Sequence, residues 1–66
     1  MFVIADNTHK FPSYLRSVLS NGVATVTMSM QDTKIHSFRK DAEDVLRSIK
    51  DAGQFQFKVH ELTIKQ

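Results

Sequence analysis

The chain has 66 residues, no cysteine and a formal net charge of +2, from nine Lys/Arg against seven Asp/Glu. This length predicts a single domain over residues 1–66 whose core is marginal for stability, so that tight packing or a homodimer is expected to supplement it. The lack of cysteine excludes a disulfide framework and thiolate-bound zinc.

The start of the chain predicts a cytoplasmic protein that is a complete small gene product. Residues 1–6 lack a basic region before their four apolar positions and turn acidic directly after them, which argues against a signal peptide. No apolar run approaches the roughly 18 residues of a membrane helix, so no membrane association is expected.

The first predicted element is a short buried strand over residues 2–5. Its four apolar residues are followed by Asp6 and Asn7, which favour turns. Pro12 has no N–H to donate to a sheet, which places it at the start of the next element.

Residues 13–20 have two interpretations. The apolar spacing allows a short helix, whereas the Asn21-Gly22 pair predicts a β-hairpin with a two-residue type I′ turn. The hairpin is favoured, because residues 23–27 are rich in β-branched side chains and the register gives each strand an apolar face. In that register Leu15 lies opposite Met28, Leu19 opposite Ala24, and Val26 shares their face.

An amphipathic helix is predicted over residues 38–52, ended by Gly53 in a positive-φ conformation. The opposite face carries acid–base pairs at i,i+4, Lys40–Asp44, Glu43–Arg47 and Arg47–Asp51. The apolar stripe consists of Phe38, Ala42, Val45, Leu46, Ile49 and Ala52, with Ile35 as an additional anchor before it. Leu46 and Ile49, at its centre, are expected to be buried against Phe55 and Phe57.

A last strand follows, in which Phe55, Phe57 and Val59 alternate with polar residues. Leu62 and Ile64 then fall on the opposite parity. Either a bulge after Val59 or a frayed tail accounts for this change of phase, or these side chains form an apolar outer surface. In the second case the predicted partner-binding residues are Met30, Leu62 and Ile64.

No residue is assigned a catalytic, metal-binding or cofactor-binding role, and no cofactor is expected. Residues 60–64 read His-Glu-Leu-Thr-Ile, which begins like a zincin motif but lacks its second histidine. The carboxylates of the helix have basic neighbours, typical of a solvated face. Arg39 and Lys40, at the predicted helix start, oppose the helix dipole and are therefore candidates for anion binding, unless Asp41 simply cancels them.

Six segments together resemble small accessory proteins of tailed phages, in which short hairpins precede one helix and a last strand. They are FVIA at 2–5, YLR at 14–16, NG at 21–22, TVT at 25–27, FRKDA at 38–42 and FKVHEL at 57–62. The resemblance implies a protein that binds a host or phage macromolecule, and it transfers no catalytic residue.

The sequence thus predicts an α+β domain in the order β, β-hairpin, α, β, with one helix packed on one face of a small antiparallel sheet. Its expected function is that of a non-catalytic protein-binding factor, such as a phage-type inhibitor or regulator of a host protein. The alternative is a small nucleic-acid-binding regulator. Residues 39–52 have no net charge, which disfavours their use against phosphates.

Overall fold

The computed structural model describes residues 1–63. Its elements in chain order are β1 (Phe2–Asp6), β2 (Ser13–Val18), β3 (Ala24–Thr27), a 3₁₀ turn (Met30–Asp32), α1 (Arg39–Ser48) and β4 (Lys58–Glu61). The strands form one antiparallel sheet in the order β3-β2-β1-β4, and α1 packs over β1 and β4. The predicted α+β fold and its element order are therefore confirmed. Within residues 1–63, no helix has the length and apolarity needed to cross a membrane.

The core lies between α1 and the central strand β1. Its buried members are Ile4, Leu15, Ala42 and Phe57. Because side chains alternate along a strand, Val3 and Ala5 point away from α1, yet both are only 2% exposed. Strand β1 is therefore buried on both faces, which explains why its sequence is a continuous apolar run rather than an alternating one.

The hairpin is present, but its register differs from the predicted one. Leu15 pairs with Val26 instead of Met28, a difference of two residues. One residue comes from the turn, since Val18 already pairs with Ala24, and the other from the register shift between Leu15 and Ser17, which leaves Arg16 as an extra residue. Leu19 lies in the turn, where its N–H donates to the Val23 carbonyl at 2.9 Å. A type I′ turn needs positive φ at both central residues, and of the residues in this turn Gly22 alone has it, at +86°.

Helix α1 ends at Ser48, before the predicted end, because the residues after it join the hairpin. The N–H groups of Lys50 and Asp51 both donate to the Gly22 carbonyl, at 2.8 and 3.1 Å, and the Asp51 carbonyl accepts from Ala24 N–H at 3.0 Å. Gly53 does adopt positive φ, at +59°, but in a separate turn rather than as the helix cap.

The apolar anchors predicted before the helix are wrong. Phe38 is the N-cap residue, with an extended backbone at φ −122° and ψ 140°, so its side chain leaves the helical stripe and is 68% exposed. Ile35 is 47% exposed. The helix residue buried most deeply is Ala42, while Leu46 and Ile49 are only partly buried against the core.

Two further local predictions need correction. Arg47 forms its ion pair with Asp44, three residues earlier, rather than with Glu43 or Asp51. Strand β4 begins at Lys58, so Phe55 and Phe57 lie before it. Their ring centroids are 5.6 Å apart, and Phe57 belongs to the core.

Candidate functional site

Strands β1 and β2 pair at one end only and then separate. The pairs are Ala5 with Tyr14 and Asp6 with Ser13. Beyond them, residues 33–36 lie between the two strands. Thr33 Oγ1 donates to the Leu15 carbonyl at 2.7 Å, and His36 exchanges two backbone hydrogen bonds of 2.8 Å with Phe2. These bonds satisfy backbone groups that a regular β1–β2 ladder would otherwise pair, so the sheet is stably split.

A cavity of about 350 Å³ lies at this split, under α1; we call it the split-sheet cavity. Its walls are formed by apolar side chains, Ile4, Leu15, Val18 and Val45. His36, only 7% exposed, also lines it. The exposed residues of the lining mark its rim: Arg16, Ser17, Lys34 and Ser48. The described lining therefore contains two cations and no carboxylate.

A shallower depression, the Phe38 groove, adjoins the cavity and shares Lys34, His36 and Val45 with it. It is lined in addition by Ile35, Ser37, Phe38, Asp41 and Asp44. The exposed apolar side chains of Ile35 and Phe38 share this lining with the carboxylates of Asp41 and Asp44. The groove therefore contains negatively charged side chains, which the cavity lining lacks.

The structure separates two of the predicted partner-binding residues. Leu62 follows β4, at one edge of the sheet, and its N–H donates to the Met1 carbonyl. Met30 follows β3, at the other edge and beyond the opposite end of β1, so it cannot share a patch with Leu62. Met30 is 37% exposed and Leu62 partly buried, and Ile64 lies outside the described residues.

The described residues show no bulge after Val59. The β1–β4 ladder runs without a shift from Lys58 to Glu61, and the bond from Leu62 to Met1 continues it. Leu62 therefore lies on the face turned away from α1, with His60. Whether this edge forms a homodimer stays a prediction.

Arg39 and Lys40, the predicted anion-binding pair, occupy the first two positions of α1. The Arg39 guanidinium lies over the Phe2 ring, 5.0 Å from its centroid, which is a cation–π contact. Lys40 is exposed on the first turn, one residue before Asp41. Anion binding by Arg39 and Lys40 stays a prediction.

A polar cluster of Asp6, Thr8 and His9 lies at the C-terminal end of β1 and was not predicted from the sequence. Asp6 is fully buried, and its Oδ1 accepts hydrogen bonds from Thr8 N–H, at 2.8 Å, and from the Thr8 hydroxyl. Its Oδ2 lies 2.9 Å from His9 Nδ1 and can form an ion pair with a protonated imidazole, but it accepts no well-aligned hydrogen bond within residues 1–63. The sequence does contain a signal for this cluster, since an Asp with Thr at i+2 is typical of an Asx turn.

These contacts control the ionisation of Asp6. The hydrogen bond from the Thr8 hydroxyl is the main cause that lowers the pKa of Asp6 below its ordinary value of 3.8, helped by Thr8 N–H and His9 and opposed by burial. A lowered folded pKa means that the carboxylate stabilises the fold fully above the unfolded pKa, and that this contribution is lost as the pH falls through the folded value.

We therefore expect Asp6→Asn to be destabilised relative to the wild type at pH 6, and the difference to shrink as the pH falls below 3.8. Thermal unfolding followed by circular dichroism from pH 6 to pH 2.5 measures it. Asp32→Asn, which removes an exposed carboxylate, is the matched control. A difference for Asp6→Asn that stays constant over this range would contradict the assignment.

In the part of the chain that the structure describes, no group of three or more His, Cys, Asp or Glu side chains is placed to hold a metal ion. Comparison of the chain with protein families, with curated proteins and with solved structures finds no match.

Proposed function

We propose that this chain is a non-catalytic protein-binding factor of the cytoplasm, an inhibitor or regulator that binds its partner through the Phe38 groove. The observation that carries the proposal is the 68% exposure of Phe38, next to a concave surface and beside the half-exposed Ile35. Aromatic side chains dominate the energetics of protein interfaces, and exposed apolar clusters mark them. The resemblance to phage accessory proteins supports the same class of function.

The groove is held in place before any partner binds. The Phe38 carbonyl accepts the first helical bond, from Ala42 N–H at 3.3 Å, and His36 is fixed to Phe2 by two backbone hydrogen bonds. An anchor on a fixed backbone loses little conformational entropy on binding, which favours affinity.

The charges beside Phe38 indicate what the partner presents. Asp41 is exposed in the groove, whereas the neighbouring Asp44 is engaged by Arg47. A partner with an apolar side chain for Phe38 and a basic group for Asp41 fits best. The exposed Asp41 carboxylate repels phosphates, which argues against the binding of nucleic acid in this groove.

The experiment places a photo-crosslinking amino acid at position 38 or, as the control, at position 11. Phe11 is also an exposed phenylalanine, at 58%, but it precedes β2, away from the groove. In nuclease-treated cell lysate, we expect a crosslinked protein from position 38 and none from position 11. Equal crosslinking at both positions would contradict the proposal. So would crosslinking that is seen only when the nuclease is omitted.

Once the crosslinked partner is identified, Phe38→Ser is expected to weaken the binding of that partner by about 2 kcal/mol or more, roughly 30-fold, as at an interface hot spot. Phe11→Ser should leave the affinity unchanged. Isothermal titration calorimetry gives the affinities, and circular dichroism checks that both variants fold. Equal losses from the two substitutions would mean that Phe38 is not the anchor.

A further inference from the structure

We propose that the split-sheet cavity is a binding site for a small-molecule carboxylate with an apolar body, such as a medium-chain fatty acid. This site goes beyond the proposed protein-binding surface and does not depend on it. The proposal of a carboxylate site is based on the apolar walls and the cationic rim of the cavity. The proposal of a protein-binding surface is based on Phe38 and Asp41.

The inner part of the cavity fits an apolar body. Ile4 and Leu15 are 1% and 5% exposed, so its floor belongs to the core, and Val18 and Val45 extend the apolar wall upward. A volume of about 350 Å³ lies near the lower end of the roughly 300–1,000 Å³ typical of ligand sites, which favours a small ligand.

The outer part of the cavity fits an anion. Arg16 and Lys34 are exposed at the rim, and no Asp or Glu occurs in the described lining. The planar Arg16 guanidinium matches a carboxylate with two parallel hydrogen bonds, and Lys34 supplies a second positive charge. Asp41 and Asp44 line the adjoining Phe38 groove and not the cavity.

His36 is the polar group placed deepest in this lining. Its side chain is buried although an imidazole is usually exposed or paired, and its backbone is fully occupied by the two bonds to Phe2. Each ring nitrogen of an imidazole can donate or accept a hydrogen bond, so His36 can contact a carboxylate oxygen that passes between Arg16 and Lys34.

The cavity is preformed, because protein bonds rather than a ligand hold the sheet open. The bond from Thr33 to the Leu15 carbonyl and the two bonds between His36 and Phe2 fix both sides of the split. A ligand therefore does not need to separate β1 from β2, and its affinity is not reduced by such a step.

The test is a titration of the full-length ¹⁵N-labelled protein, followed by NMR, with octanoate, octanol and acetate in turn. Octanoate has both the charge and the apolar body, octanol lacks the charge, and acetate lacks the body. We expect saturable shifts with octanoate alone, at the amides of residues 15–18, 34–36 and 45–48. Octanol binding as tight as octanoate binding, or shifts outside these segments, would overturn the proposal.

Variants then test the rim. The double change Arg16→Gln with Lys34→Gln is expected to weaken octanoate binding about tenfold. The control Lys10→Gln with Lys58→Gln removes the same number of exposed charges away from the cavity and should leave affinity unchanged. Equal losses in the two double variants would show a general charge effect and overturn the site, whatever the outcome at Phe38.

Discussion

Ile4→Ala is expected to remove a large part of the free energy of unfolding. Ile4 is 1% exposed on the central strand, between α1 and the neighbouring strands, so the truncation leaves a cavity in the core. Such changes cost about 2–5 kcal/mol. The total stability of a chain of this length is only about 3–10 kcal/mol. Urea denaturation followed by circular dichroism measures the change in the free energy of unfolding.

Ile35→Ala is the matched control for this prediction, because it removes the same atoms from a side chain that is 47% exposed. Its cost is expected to stay within about 0.5 kcal/mol, as for other surface substitutions. If the two variants lost equal stability, the placement of the core between α1 and β1 would be wrong.

Gly22→Ala is expected to cost about 2–4 kcal/mol, from two causes that add. A residue with a Cβ is strained at the φ of +86° found here. The added Cβ would also lie 2.7 Å from Cβ and Cγ of Lys50, which is too close for real atoms. Lys50 has little freedom to retreat, because its N–H is bonded to the Gly22 carbonyl.

Gly53→Ala separates these causes. Gly53 has a φ of +59°, but a Cβ added there meets no atom within 4 Å. Its cost is therefore expected to be that of the backbone strain alone, about 1–2 kcal/mol. Thermal and urea unfolding of the two variants side by side give the comparison. A cost for Gly22→Ala no larger than that for Gly53→Ala would show that the contact with Lys50 relaxes freely.

The fold class followed from local patterns, because periodicity and turn residues act over a few neighbours. The run from Phe2 to Ala5, the spacing of Ala42, Val45 and Leu46, and the glycine at 53 each predicted a local conformation that is present. Errors arose where distant segments decide the outcome. The helix, for example, ends at Ser48 because Lys50 and Asp51 bond to the distant hairpin. The hairpin register was a separate, local error, since it depends on a longer turn and on the extra residue Arg16, which no pattern marks.

The candidate sites were harder to predict for the same reason. The split-sheet cavity exists because Thr33 and His36 insert between strands that are far from them in sequence, and no periodicity shows such an insertion. Phe38 was assigned to the core because it fits the helical spacing, although a residue one position before the helix does not follow its geometry. The cluster of Asp6, Thr8 and His9, in contrast, could have been predicted from the spacing of neighbouring residues.

The attachment of the hairpin tip to the residues after α1 has a consequence for local opening. Lys50 and Asp51 share the Gly22 carbonyl, and Asp51 also accepts from Ala24. The hairpin tip cannot lift away without breaking these bonds, and the last turn of the helix cannot unwind freely while they hold. Two segments that are distant in the chain thus form one cooperative unit, which opens and closes together rather than fraying from either end.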